Sequence, residues 1–204
     1  MRRRRNECLQ KFIMNSFEND IQQAVAVLQN GGLILYPTDT IWGIGCDATN
    51  EEAVAKIYAL KQRPDEKSML VLVADERQLN QYITLPHPEI SEYLQTVTKP
   101  TTVIYEGAVN LAGNLINKTD GSIGIRIVKD DFCKQLIKRF RKPIVSTSAN
   151  TSGQPSPQFY ASIADDIKQG VDYIVQHRQE ETTAAAPSSI IKRNADGSVH
   201  IIRS

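Results

Sequence analysis

Short apolar runs that stop abruptly in polar loops constrain this chain most. Leu33–Tyr36, Met69–Val73, Thr101–Tyr105, Ser122–Val128, Ile144–Ser146 and Tyr173–Val175 are too short to be helix cores and read as buried strands. The stretches between them keep helical spacing. Ile21, Ala24, Val25 and Leu28 follow Ser16, a capping residue type, and are closed by Gly31 and Gly32. Asn50 caps a second helix whose Val54, Ile57 and Tyr58 face inwards, with Lys61 continuing the same ridge. Further helices are predicted near Glu89–Val97, Asp131–Phe140 and Phe159–Lys168. The turn at Asp196-Gly197 joins Ser189–Lys192 to Val199–Ile202 as a closing hairpin. Strands alternating with helices predict an α/β domain. Glu180–Ser189, EETTAAAPSS, reads as a loop that serves either as a plain connection or as a mobile binding segment.

Length and charge narrow the function. A chain of 204 residues can build one continuous core. The net charge of +1 argues against nucleic-acid binding by the whole surface, while a local basic patch stays compatible with it. The three cysteines are odd in number and lack zinc-site pairing, which fits a reducing cytoplasm. No apolar run suits a membrane span. The head MRRRR is followed by NECLQK, so it is no secretory signal; residues 1–14 read as a disordered basic head, with Met14 an alternative start.

Several chemistries drop out. His87, His177 and His200 have no partners at metal-ligand spacing, and no G-x-S-x-G elbow is present, so a zinc site and a Ser-His-Asp hydrolase are disfavoured. The stretch AGNLINKT, 112–119, has Ala112 and Asn117 where a phosphate-binding loop needs glycines. Gly43-Ile-Gly45-Cys-Asp-Ala48 matches a dinucleotide fingerprint, yet Pro37 to Trp42 separate it from its strand. It reads instead as a tight glycine turn packing backbone on backbone.

Three polar groups remain, each at the end of a strand or helix, where open α/β sheets bind ligands. Thr38 and Thr40 follow the first strand. Lys61, Arg63 and Lys67 surround Pro64, and a guanidinium there can clasp a phosphate through two parallel bonds. The alternative for them is a solvated helix end favoured by the dipole. Ser146, Ser148, Asn150, Ser152 and Ser156 lie in STSANTSGQPSP, where hydroxyls and an amide suit phosphate and ribose or serve simply as turn formers.

Together YPTDTIWGIGCDAT, the KQRP turn and STSANTSGQPSP, in this order, resemble the YrdC-like threonylcarbamoyl-AMP synthase family over about Asn15 to Arg203. The resemblance implies one α/β domain over 15–204, with a twisted, mainly parallel or mixed sheet, flanking helices and a concave, positively charged face. It implies an enzyme that joins L-threonine, bicarbonate and ATP into threonylcarbamoyl-AMP, releases pyrophosphate, and uses Mg²⁺ with the ATP. Its product would pass to tRNA-modification proteins, and weak contact with RNA is a further expectation. The same motifs imply Thr40, Arg126, Ser146 and Ser188 at threonine. They imply Lys61 and Arg63 as catalytic cations, and Arg63, Lys67, Ser122, Ser148, Asn150, Ser156 and Arg203 at ATP. Departures are Leu72, where many relatives have histidine, P-S-S-I at 187–190 and KPTT at 99–102. The competing reading is an RNA-binding paralogue without synthase activity, against which the intact Ser148-Ala149-Asn150 motif counts.

Overall fold

Alternation along the strands sorts the apolar side chains onto two faces of one sheet. The computed structural model describes residues 17–62, 69–184, 186–194 and 196–204. Its helices are α1 (Glu18–Gln29), α2 (Glu51–Lys61), the short α3 (Glu76–Leu79), α4 (Pro88–Thr96), α5 (Asp131–Phe140) and α6 (Asp165–Gln169). Its strands are β1 (Ile34–Tyr36), β2 (Gly43–Gly45), β3 (Leu70–Val73), β4 (Thr101–Tyr105), β5 (Ile123–Ile127), β6 (Ile144–Ser148), β7 (Tyr173–Ile174), β8 (Ser189–Arg193) and β9 (Val199–Arg203). They form one sheet in the order β7-β1-β2-β6-β3-β5-β4-β8-β9.

The domain is α/β with a mixed sheet, as expected, but parallel pairs are the minority. Among the described residues β1–β7, β3–β5 and β4–β8 are parallel and the other five pairings are antiparallel. One cause is β2. The GIG segment is a strand between β1 and β6, where a glycine turn was expected. Its loop from β1 is too short for the crossover that parallel neighbours require. The backbone-on-backbone packing does hold. A Cβ on Gly45 would lie 2.7 Å from Tyr36 Cε1 and 2.9 Å from the Val145 carbonyl oxygen.

Sequence caps set the helix ends. Asn50 accepts the Ala53 N–H at 3.1 Å, and Asp130 accepts that of Cys133 at 2.8 Å. Gly31, at φ 69°, follows the end of α1. The helix expected over Phe159–Lys168 is instead a tight turn at Tyr160–Ser162 followed by α6. Ser162 Oγ donates to the Phe159 carbonyl and accepts its N–H, which favours the tight turn, and the chain is extended at Ile163 and Ala164. Ser16 and the basic head lie outside the described residues.

One sheet face, with Leu35, Val71, Val73, Ile125 and Val145, packs on Val54 and Ile57 of α2. The other, with Ile34, Tyr36, Leu72 and Ile144, packs on Ile21, Ala24 and Leu28 of α1 and Phe132, Leu136 and Ile137 of α5. Because side chains alternate, Leu70 shares the face of Leu72, Ser146 and Ser148 share that of Ile144, and Arg126 sits in register with Leu72. There α1 and α5 no longer cover the sheet, and a cleft opens. Among the described residues no helix is long and apolar enough to cross a membrane.

Candidate active site

The cleft holds about 210 Å³ and is floored by β2, β5 and β6 and walled by the loop after β1 and the β8–β9 hairpin. Of the residues expected at threonine, Thr40, Arg126, Ser146 and Ser188 line it. Of those expected at ATP, Ser148, Ser156 and Arg203 do. Five separate segments therefore converge on one space.

Arg126 is its strongest electrostatic feature. The side chain is only 2% exposed, and Nη2 lies 2.9 Å from the Asp39 carboxylate, itself 7% exposed. Nη2 also donates to Thr40 Oγ1 at 3.3 Å, and Asp39 Oδ2 accepts the Lys129 N–H at 3.2 Å. Nε of Arg126 is buried and has no acceptor among the described residues. A buried guanidinium N–H without an acceptor is costly, so it is a ready donor for an anionic ligand.

The loop after β1 is held from within and from without. Thr38 Oγ1 lies 2.9 Å from Thr40 Oγ1, accepts the Thr40 N–H at 3.0 Å and donates to the Ile41 carbonyl at 2.8 Å. Arg178 supports the outer side. From a left-handed backbone, φ 67°, it donates to the Thr38 carbonyl at 3.1 Å and to Asp130 at 3.4 Å, and it pairs with Glu181 at 2.6 Å. Sequence reasoning missed both Asp39 and Arg178. The T-D-T pattern was a signal for Asp39; nothing in HRQEE marks Arg178.

On β6, Ser146 needs its glycine neighbour, since a Cβ on Gly43 would lie 3.1 Å from Ser146 Oγ. Ser188 Oγ lies 2.9 Å from Thr102 Oγ1, and the Ser188 carbonyl accepts from Arg203 Nε at 3.1 Å and Nη2 at 2.8 Å. That fork folds the end of β9 over the cleft.

Other expected residues lie elsewhere. Lys61 is 1% exposed and absent from the cleft lining; its ammonium donates to the carbonyls of Ser148 and Asn150 beneath the turn. Asn150 does not line the cleft either: its Nδ2 donates to the carbonyls of Thr151 and Gln154 at 2.9 and 2.7 Å. Ser122 immediately precedes β5, ~13 Å from Arg126 at the rise of an extended strand. Leu72, the departure from histidine, is fully buried in the α1–α5 core and outside the lining. Arg63 and Lys67 lie outside the described residues. A larger cleft of about 340 Å³, between α3, α4 and α5, holds none of the expected site residues.

The titratable groups behind the cleft are inert near neutral pH. Burial pushes the Tyr36 phenol and the Cys133 thiol far up; they donate to the carbonyls of Val145 and Pro37. The lining offers hydroxyls and guanidinium groups, and no cluster of acidic, histidine or cysteine side chains suited to a metal occurs among the described residues. Such a site can bind, orient and neutralise charge, which suffices for phosphoryl-type transfer.

Comparison with known proteins bears on the family and the fold. The Sua5, YciO and YrdC family model, described as telomere recombination, matches residues 26–204. Threonylcarbamoyl-AMP synthase of Pseudoalteromonas translucida (strain TAC 125) is 32% identical over 187 residues, covering 90% of this chain and 98% of that protein. The protein of the same name from Photobacterium profundum is 33% identical over 161 residues, covering 78% of this chain and 86% of that one. E. coli YciO has the same fold, with a TM-score of 0.78 at 23% identity over 91% of this chain and 89% of that one. P. abyssi Sua5, solved with L-threonine, gives 0.78 at 23% identity over 90% of this chain; the chain spans 53% of that Sua5, about half. A family model that runs from α1 to the last strand, with relatives above 30% identity over most of the chain, places the chain in the Sua5–YciO–YrdC family.

Proposed function

We propose that the protein makes L-threonylcarbamoyl-AMP from L-threonine, bicarbonate and ATP, releasing pyrophosphate, in the cytoplasm and for the threonylcarbamoyladenosine modification of tRNA. The threonine amine adds to CO₂ drawn from bicarbonate and loses a proton, forming a carbamate. A carbamate oxygen then bonds to the α-phosphorus as the bond to pyrophosphate breaks. Neither step needs a side-chain nucleophile, in keeping with a cleft whose nearby phenol and thiol are held neutral.

The observation that carries the reading is Arg126. Its Nη2 is committed to Asp39 and Thr40, while Nε has no acceptor among the described residues. An amino-acid carboxylate there would satisfy that donor and gain a charge-assisted bond. Thr40, Ser146 and Ser188 supply hydroxyls for the rest of threonine; Ser148, Ser156 and Arg203 line the part assigned to the nucleotide. Arg63 and Lys67 are assigned to its phosphates and Asn150 and Ser122 to supporting roles around it. Mg²⁺ enters with ATP as part of the substrate and neutralises phosphate charge; the hydroxyl lining suits an ion carried on phosphate oxygens.

Titration calorimetry with L-threonine, L-threonine amide and L-alanine tests the assignment. L-threonine should bind at least tenfold more tightly than the amide, which lacks the carboxylate. Equal binding of threonine and its amide would contradict it.

A further inference from the structure

We propose that Lys61 is a positioning residue, whose ammonium clamps the Ser148–Asn150 turn from below and does not itself meet the phosphates. The nucleotide role of that turn rests on the synthase reading; the clamp itself does not.

Three observations carry it. The ammonium donates to the carbonyls of Ser148 and Asn150, the two residues flanking Ala149, so one cation grips both ends of the turn. Ser152 N–H donates to the Lys61 carbonyl at 2.8 Å, so the backbone of the last α2 residue also ties down the segment that follows the turn. Lys61 is 1% exposed and outside the cleft lining, while Ser148 lines it. A buried ammonium is tolerable only with good acceptors, and two carbonyls of this turn are among those it has taken. A phosphate held in the cleft would meet Ser148, which lines it, and not the ammonium, which does not. Ala149 N–H also donates to the Trp42 carbonyl at 3.2 Å, so the clamped turn fixes a second lining residue.

The wild-type protein gives the first test. Reductive methylation followed by mass spectrometry should leave Lys61 unmodified with or without MgATP. The Lys61→Met variant keeps the stem and removes the charge. Without any ligand, hydrogen exchange at the Ala149 and Ser152 amides should quicken about tenfold or more, with α1 and α5 unchanged. Adenosine, which has no phosphate, should lose affinity by the same factor as ATP. Methylation of Lys61 that ATP suppresses would overturn the proposal. So would unchanged exchange at those amides, or a loss confined to ATP and ADP. Should Lys61→Met fail to fold, the wild-type footprint decides alone. Failure of the synthase reading would show as pyrophosphate release indifferent to threonine, with the exchange result intact.

Discussion

Arg126 pairs with one carboxylate built into the fold and is proposed to meet a second on the substrate, and mutation can separate the two roles. Arg126→Met leaves the Asp39 side chain, 7% exposed, without its counter-charge. Breaking a buried pair from one side costs about 3–5 kcal/mol, so the urea midpoint should fall sharply. The double variant Asp39→Asn, Arg126→Met removes both charges and should recover most of that loss while L-threonine binding stays at least tenfold weakened. Recovery of binding with stability would show that Arg126 acts only through the fold. At this scale the sequence was informative where a residue type admits one job. A guanidinium in SIGIR was placed at the cleft by resemblance, whereas its engagement with Asp39 depends on a strand pairing that no local pattern encodes. Lys61 shows the same gap: its position on the inward ridge of α2 was legible, and the carbonyls it would find there were not.

Elements were legible where a local signal and the tertiary context agree. The bounds of α5 match its apolar spacing and its Asp130 cap, and Asn50 caps α2 as its type demands. The β2 strand was not legible, because two glycines in three residues carry no strand propensity; they are there for close approach. Gly45→Ala should accordingly destabilise the protein by about 1–3 kcal/mol, since its Cβ would meet Tyr36, the Val145 carbonyl and Ile144 at 2.7, 2.9 and 3.0 Å. Chemical denaturation that found this variant as stable as wild type would contradict the tight packing of β1 on β2. At the same edge, just past β7, the His177 ring lies 5.0 Å from that of Phe17 and 5.5 Å from that of Phe132. Burial, aided by Arg178, lowers its pKa below the ordinary 6.5, with Asp130, Asp20 and Glu181 opposing. As pH falls through about 6.5 the unfolded imidazole takes a proton that the folded one resists. Stability should therefore decline in that window, and His177→Phe should remove part of the decline. A melting-temperature difference between wild type and variant that stays constant from pH 7 to pH 5 would refute this.

For the whole molecule, the site arises from incomplete coverage of a sheet. Helices α1 and α5 bury one face over β1, β3 and β6, and the same face continues past them as Arg126, Ser146 and Ser148. The motifs named most of those residues, but β1 and β9 stand far apart in the strand order, and the loop after β1 and the end of β9 meet only across the cleft, which is why Arg203 could be assigned by resemblance alone and Arg178 not at all. The function proposed for this cleft is to adenylate a carbamate made from threonine. The most direct measurement is pyrophosphate release by the wild-type protein with MgATP and bicarbonate, with L-threonine added or omitted. Release should require both L-threonine and bicarbonate and be matched mole for mole by an AMP conjugate of threonine. Release at the same rate without threonine, or none with every substrate present, would contradict it.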